Sequence, residues 1–276
     1  MYLPNLLCRR LITLSLIFLF LASLATASDE TSLTKEQIKH FLLTAKIIAS
    51  KQSGKGVTHP WRLTLSDGTI THDASFQGIN EFKSNIRFAS GDSELNFKDS
   101  YKYNIAAYSL AELLGIEDML PVYVERKWKG DAGSLSWWLP VKMDEAERKK
   151  NNIEVPDENK DSWNNQMHRI RVLDQLVYDK DANLTNVLIG ANWEIWRVDF
   201  SRAFRLSKDL KSPGDLVRCD RKLLDKLKAL DGNELAEKTK HYLDKDEVKA
   251  VMARRDKIVA RFQQLIVEKG EGEVLY

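Results

Sequence analysis

The sequence predicts an α+β fold in two lobes, a small antiparallel-sheet lobe carrying one helix followed by a larger, mainly helical lobe. Three observations carry this expectation. Short strand-like runs separated by turn residues fill residues 61–139. Apolar residues recur at helical spacing after Trp163. Between the helical runs lies YDKDANLTNVLIGANWEIWRVDFSRAF, residues 178–204, a strand-turn-strand pattern with polar side chains at both open ends. A chain of 276 residues is long enough for two lobes around a cleft. Its 43% hydrophobic and 30% charged content is that of an ordinary folded protein. The net charge of +2 comes from 42 basic and 40 acidic residues that are well mixed. No basic stripe with interleaved aromatics occurs, which argues against nucleic acid as a partner.

The first 27 residues read as a secretory signal: Arg9 and Arg10, an apolar run over 11–24, then the small-x-small site Ala25-Thr26-Ala27. The run is shorter than the roughly 20 residues a spanning helix needs. The expected address is therefore periplasmic or secreted, with the membrane as a partner only through an uncleaved signal. After cleavage Cys219 is the remaining cysteine, so no intrachain disulfide is possible, and a small buried apolar role is expected for it.

A capping-box pattern, Thr34-Lys35-Glu36-Gln37, opens a helix. Ile38, Phe41, Leu42, Ala45 and Ile48 form its packed face, and Ser53-Gly54-Lys55-Gly56 ends it, so residues 28–60 are expected to brace the fold. The small lobe, residues 61–141, starts with strands over 61–65 and 70–76 about the turn Ser66-Asp67-Gly68-Thr69. Residues 78–93 carry no decisive pattern, and 94–98 read as a further strand. A helix over 101–114 stops at Gly115. A hairpin over 122–128 and 134–139 closes the lobe. The large lobe, residues 142–276, opens with a charged connecting segment over 142–161 and a helix over 163–178. The polar hairpin follows, then a short helix carrying Leu223, Leu224, Leu227 and Leu230. A long last helix is capped by Asp244-x-x-Glu247 and runs to Gly270.

Phosphoryl transfer needs cations on the transferring phosphate, a carboxylate to orient the nucleophile and a lysine on the other phosphates. Asp181 and Asn186 stand five apart before the hairpin, and Asp199 stands thirteen beyond Asn186. These supply a carboxylate and two oxygen ligands, and Lys98, on a strand just before the small-lobe helix, is the candidate lysine. Asp181-Ala182-Asn183-Leu184-Thr185-Asn186 resembles the D-x-x-x-x-N half of the protein-kinase catalytic loop, and Asp199-Phe200-Ser201 resembles its D-F-G motif. The run Asp199-Phe200-Ser201-Arg202-Ala203-Phe204 is similar to the atypical branch of phosphatidylinositol 3-/4-kinases, HipA-like kinases and secreted kinases. Phe97-Lys98-Asp99, Asn104-Ile105-Ala106-Ala107-Tyr108 and Trp137-Trp138 are similar to segments of an uncharacterised exported bacterial group within it. The resemblance covers roughly residues 61–220.

That resemblance implies a two-lobed kinase-like fold and an ATP-dependent phosphotransferase using Mg²⁺ and ATP on a hydroxyl of a protein, lipid head group or small molecule. It implies Asp181 as catalytic carboxylate, Asn186 and Asp199 as metal ligands, and Lys98 on the α/β-phosphates. Trp138 and Leu139 would lie at the adenine and Gly68 near the phosphates. The sequence departs from the pattern in four places. No G-x-G-x-x-G occurs, so the Asp67-Gly68 turn is the candidate phosphate cover. Asn104 stands where the helix glutamate is expected, with Glu112 a distant substitute. Ala182 replaces the usual arginine, and no histidine opens the loop. A catalytically inactive pseudokinase serving as an extracytoplasmic binding module is the alternative. Arg202 is expected to pair with Asp181 or Asp199. Asn183-Leu184-Thr185 fits a glycosylation pattern but would block the cleft. The five histidines are scattered without zinc spacing, and no nucleophile elbow is present.

Overall fold

A computed structural model describes residues 33–52, 60–87, 91 and 93–276, of which Thr34–Tyr276 form one compact unit. The stretch read as a secretory signal and the Gly54/Gly56 pair lie outside the described residues.

Helix α1 (Lys35–Thr44) opens on the expected capping box: Gln37 N donates to Thr34 Oγ1 at 3.2 Å, and Thr34 N donates to Gln37 Oε1 at 2.8 Å. It ends before Ile48. Ala45 is extended, and β1 (Lys46–Gln52) pairs antiparallel with β2 (Trp61–Ser66). The helical spacing through Ala45 and Ile48 is overridden because Ile47 and Ile48, both β-branched, have a strand to pair with.

β3 (Thr71–Gln77), β6 (Tyr123–Trp128) and β7 (Asp131–Trp137) complete a five-stranded antiparallel sheet of order β1-β2-β3-β7-β6. Strand register divides its side chains. Leu63, Ala74, Phe76, Leu135 and Trp137 share one face, which α1 covers through an edge contact of Phe41 on Trp137 with centroids 5.7 Å apart. Arg126 Nη1 and Nη2 fasten that layer by donating to the carbonyls of Leu42 and Ala45, each at 2.7 Å. The opposite face carries Ser75, Gln77, Tyr123, Ser134 and Ser136, and looks onto α2 (Lys102–Leu114) and the cleft. α2 is buried almost all round, which its Ile105, Ala106, Ala107 and Leu110 allow.

The segment without decisive pattern forms β4 (Asn80–Arg87), paired with β5 (Ser93–Ser100) in a two-stranded ribbon inserted between β3 and α2. The connecting segment over 142–161 is likewise ordered. β8 (Met143–Asp144) joins β9 (Val187–Ile189) and β10 (Ile195–Arg197) in a three-stranded sheet, and α3 (Glu145–Lys150) follows. α4 (Lys160–Val177) packs on α7 (Lys245–Lys269), surrounded by α5 (Arg221–Ala229), α6 (Gly232–Thr239) and α8 (Glu271–Val274). Cys219 is buried. No helix among the described residues is long and apolar enough to cross a membrane.

Candidate functional site

Asp199 follows β10 and is held in the left-handed region, φ 60°, which a non-glycine residue adopts only where its surroundings fix it. The fixing side chain is Arg197, fully buried between β10 and α4. Its Nε donates to Asp174 Oδ1 at 3.0 Å, its Nη2 to Asp179, and its Nη1 to the carbonyl of Val198. Burial pushes the Asp179 carboxyl up to about 6, although the Arg197 charge pulls it down. Beyond Asp199 the turn is gripped from the small lobe. Phe200 N donates to Asn104 Oδ1 at 2.7 Å, and Ser100 N donates to Ser201 O at 2.9 Å.

On the other side of the hairpin, Asn186 is buried and its Nδ2 donates to the Asp181 carbonyl at 3.2 Å, leaving Oδ1 as an acceptor. Val198 N donates to Asn186 O at 3.0 Å, so the Asn186 and Asp199 backbones are joined through one residue. Asp181 is exposed, and its N–H donates to Asp179 Oδ1 at 2.9 Å.

Between sheet and hairpin lies a cleft of about 710 Å³. It brings together four of the residues expected from sequence: Trp138, Leu139, Asn186 and Asp199. Asp181 lies outside its lining, one hydrogen bond from Asn186. Trp137 N, Trp138 N, Val141 N and Lys142 N bond to Val122, Asp73, Leu139 and Ile189 carbonyls, at 3.1, 3.1, 2.9 and 2.8 Å. Pro140 has no N–H. Among the described residues, the Leu139 amide is thus the donor left over on this linker, suited to the edge of a heterocyclic base.

Two expected residues are placed elsewhere. Lys98 Nζ donates to Glu247 Oε1 at 2.6 Å and lies 3.5 Å from Asp244 Oδ2, at the start of α7. Burial alone would lower the Lys98 pKa, but the Glu247 hydrogen bond and charge win and raise it. The physical reason is the β4–β5 insertion: Lys98 belongs to the ribbon that hooks onto the large lobe, not to the sheet roofing the cleft. Gly68, φ 95°, sits at the β2–β3 turn with open space around it and does not line the cleft. Arg202 pairs with neither Asp181 nor Asp199; it donates to Glu94 of β5 at 2.6 Å, beside Arg205 and Lys180 on the same carboxylate.

Gln77 and Asn104 make the cross-link that sequence reasoning missed. Gln77, on β3, lines the cleft; Asn104, 1% exposed on α2, donates from Nδ2 to Gln77 Oε1 at 2.6 Å and to Ser134 Oγ at 3.2 Å. Gln77 closes β3 beside β7 in the sheet, and Asn104 stands in the first turn of α2, so the pair ties sheet to helix at the edge of the cleft. The alternation of β3 was the usable signal, but a neutral side chain gave nothing to look for.

The donor set fits a hard divalent cation. Asp199 Oδ1 is a buried carboxylate oxygen without a hydrogen-bond partner among the described residues, and the Asn186 amide oxygen lines the same cleft, as do Asp144 and Glu147. Among the described residues no three His, Cys, Asp or Glu side chains converge as a self-sufficient cage. Mg²⁺ is commonly held by one or two carboxylates together with substrate phosphates, so a sparse protein set suits it.

No protein-family model matches the chain, and no curated protein does. Among solved structures it is similar to hydra Fam20 determined with a sugar: 14% identity over 90% of this chain and 93% of that one, TM-score 0.63. A second similar structure is the Helicobacter pylori proinflammatory kinase CtkA, 10% identical over 83% of this chain and 98% of that one, TM-score 0.46. The first of these likenesses, with the sheet and helices described above, shows the fold as α+β and kinase-like, a sheet lobe joined to a helical lobe.

Proposed function

We propose that this chain is an exported kinase-like phosphotransferase that uses Mg²⁺ and ATP to phosphorylate a hydroxyl group. The single observation that carries the reading is the unpartnered, buried Asp199 Oδ1 beside Asn186 in the cleft floor. Shielding a carboxylate oxygen from water without a partner is costly, and a cation removes that cost. When bound, Mg²⁺ supplies charge neutralisation on the phosphates. Asn186 and Asp199 hold it, and the Leu139 amide together with Trp138 receives the base. Asp181, tied to Asn186 through its carbonyl, orients the acceptor hydroxyl and takes its proton. Residues 61–141 act as the small lobe, with β1 of the segment 28–60 completing its sheet and α1 bracing it, and 142–276 act as the large one, after a cleaved signal over 1–27.

The test is phosphate transfer from ATP by the purified chain to peptide, lipid and carbohydrate hydroxyls. Transfer is expected to be lost in Asp199→Ala and in Asp181→Ala, and undiminished transfer in Asp199→Ala refutes the assignment. The second reading, a pseudokinase binding module, is favoured by the neutral Gln77–Asn104 pair in place of an ion pair. It requires nucleotide or partner binding without transfer.

A further inference from the structure

Asp181 is exposed, and no hydrogen bond among the described residues reaches its carboxylate, so the backbone on either side sets its position. On one side that backbone is tied to Asn186. On the other stands Lys180, whose side chain and N–H both lead to a single carboxylate. Lys180 Nζ lies 3.4 Å from Glu94 Oε2, on the inserted ribbon. Lys180 N donates to Arg202 O at 3.4 Å, and Arg202 Nη2 donates to the same Glu94 oxygen at 2.6 Å. Arg205 Nη2 pairs with the other Glu94 oxygen. Glu94 is 7% exposed, so one buried carboxylate neutralises three cations, drawn from the loop of Asp181 and from the turn after Asp199. β5 also supplies the seat on which the two arginines rest: Arg202 lies 4.3 Å from the Phe97 ring centroid, and Arg205 Nη1 donates to the Asn96 carbonyl at 3.2 Å. Asp199 is held instead by Arg197 beneath it and by Asn104 through Phe200 N.

We infer that Glu94 is a positioning residue for phosphate transfer: from outside the cleft it fixes Lys180 and Arg202, and through them the aim of Asp181. The inference rests on the reading of Asp181 as the group that orients the acceptor hydroxyl. The ribbon β4–β5 thereby serves the reaction although none of its residues lines the cleft. Its charge is what the position requires. A glutamine at 94 keeps the shape and one acceptor oxygen, but it turns an NH₂ group toward a guanidinium and leaves three cations together without a counter-charge. The loop of Asp181 and the turn over 200–205 then draw apart. Asp181 loses its aim, while Leu139 and Asp199, anchored elsewhere, keep theirs. The signature is a fall in kcat with the KM for ATP preserved.

The experiment is steady-state phosphate transfer from ATP with Mg²⁺ by the full chain, surveyed on peptide, lipid and carbohydrate hydroxyls and quantified on the acceptor the wild type uses. Glu94→Gln should lower kcat about a hundredfold, the cost of a misplacement of about 1 Å, and leave the KM for ATP within about twofold of the wild type. Lys180→Met breaks one of the two routes at an exposed side chain, and should lower kcat about tenfold at unchanged KM. Undiminished kcat in a folded Glu94→Gln chain overturns the inference and leaves the phosphotransferase reading standing. So does a parallel loss of kcat and of affinity for ATP, which marks a loosened fold. If Glu94→Gln does not fold, Lys180→Met decides alone, and unchanged kcat there overturns the inference. Absence of transfer by the wild type to any of these acceptors removes the phosphotransferase reading itself, and the inference with it.

Discussion

Lys98 on β5 and Glu247 in the first turn of α7 meet at 2.6 Å, with Tyr103 OH donating to the same Glu247 oxygen and Asp244 N to the other. Glu247 is a buried carboxylate whose two oxygens both accept, so Lys98 acts as a bolt between the inserted ribbon and the large lobe. Lys98→Met removes one partner from a buried acceptor, which costs about 1–2 kcal/mol. Urea unfolding of the variant should show that loss, while its affinity for ATP with Mg²⁺ stays at the wild-type value. A large drop in affinity at unchanged stability would return Lys98 to the phosphates.

Asp199→Asn separates charge from backbone strain. Asparagine tolerates the left-handed region better than most residues, so the φ of 60° at this position can be kept. The variant also removes the charge from Oδ1, the one shielded, unpartnered oxygen of a half-buried carboxylate. Its melting temperature should equal or exceed that of the wild type without ligand, and Mn²⁺ binding in the presence of ATP should disappear. A variant that unfolds, or that still binds Mn²⁺, contradicts the role given to the Asp199 carboxylate.

Gly133 on β7 is required by the close approach of β3. A Cβ there would stand 2.5 Å from Phe76 Cζ and 2.6 Å from the Gln77 carbonyl oxygen. Phe76 is buried and a carbonyl cannot swing aside, so Gly133→Ala must push β3 away from β7. Overpacking of this kind costs about 1–3 kcal/mol. Because the displaced residue precedes the Gln77–Asn104 cross-link, ATP affinity should fall in step with stability. A neutral Gly133→Ala would show that the two strands separate freely there.

What the sequence disclosed and what it hid follow one physical division. The floor of the cleft is local: Asn186, the hairpin and Asp199 lie within fourteen residues, and turn chemistry plus β-branched runs place them together. Caps were equally legible, since Thr34/Gln37 and Asp244/Glu247 each satisfy backbone groups within a single turn. The roof is assembled from distant segments. The ribbon β4–β5 separates the cleft strand β3 from α2, so a lysine on the strand just before α2 falls on the ribbon and outside the cleft lining. Ion-pair partners such as Glu94 for Arg202 and Glu247 for Lys98 are set by tertiary packing across 108 and 149 positions, which no periodicity encodes. Strand β1 was hidden for a related reason: Ile48 extends the helical spacing of α1, and only the presence of β2 selects the extended form.

Asp179 gives the stability of the large lobe a pH dependence of unusual sign. Its side chain is fully buried against Arg197, and burial lifts the carboxyl from the ordinary 3.8 to about 6. Between those values the folded chain holds a proton that the unfolded chain releases. The contribution of this group to stability is therefore complete below pH 3.8 and is lost as pH rises through about 6. In Asp179→Asn the titration is absent, whereas the Arg197–Asp174 bond at 3.0 Å can remain. The unfolding free energy of the wild type minus that of Asp179→Asn should accordingly fall from pH 4 to pH 7, by on the order of 2–3 kcal/mol. Urea denaturation across that range measures it. A difference that rises with pH would mean that the Arg197 charge outweighs burial and holds the Asp179 carboxyl below its ordinary range.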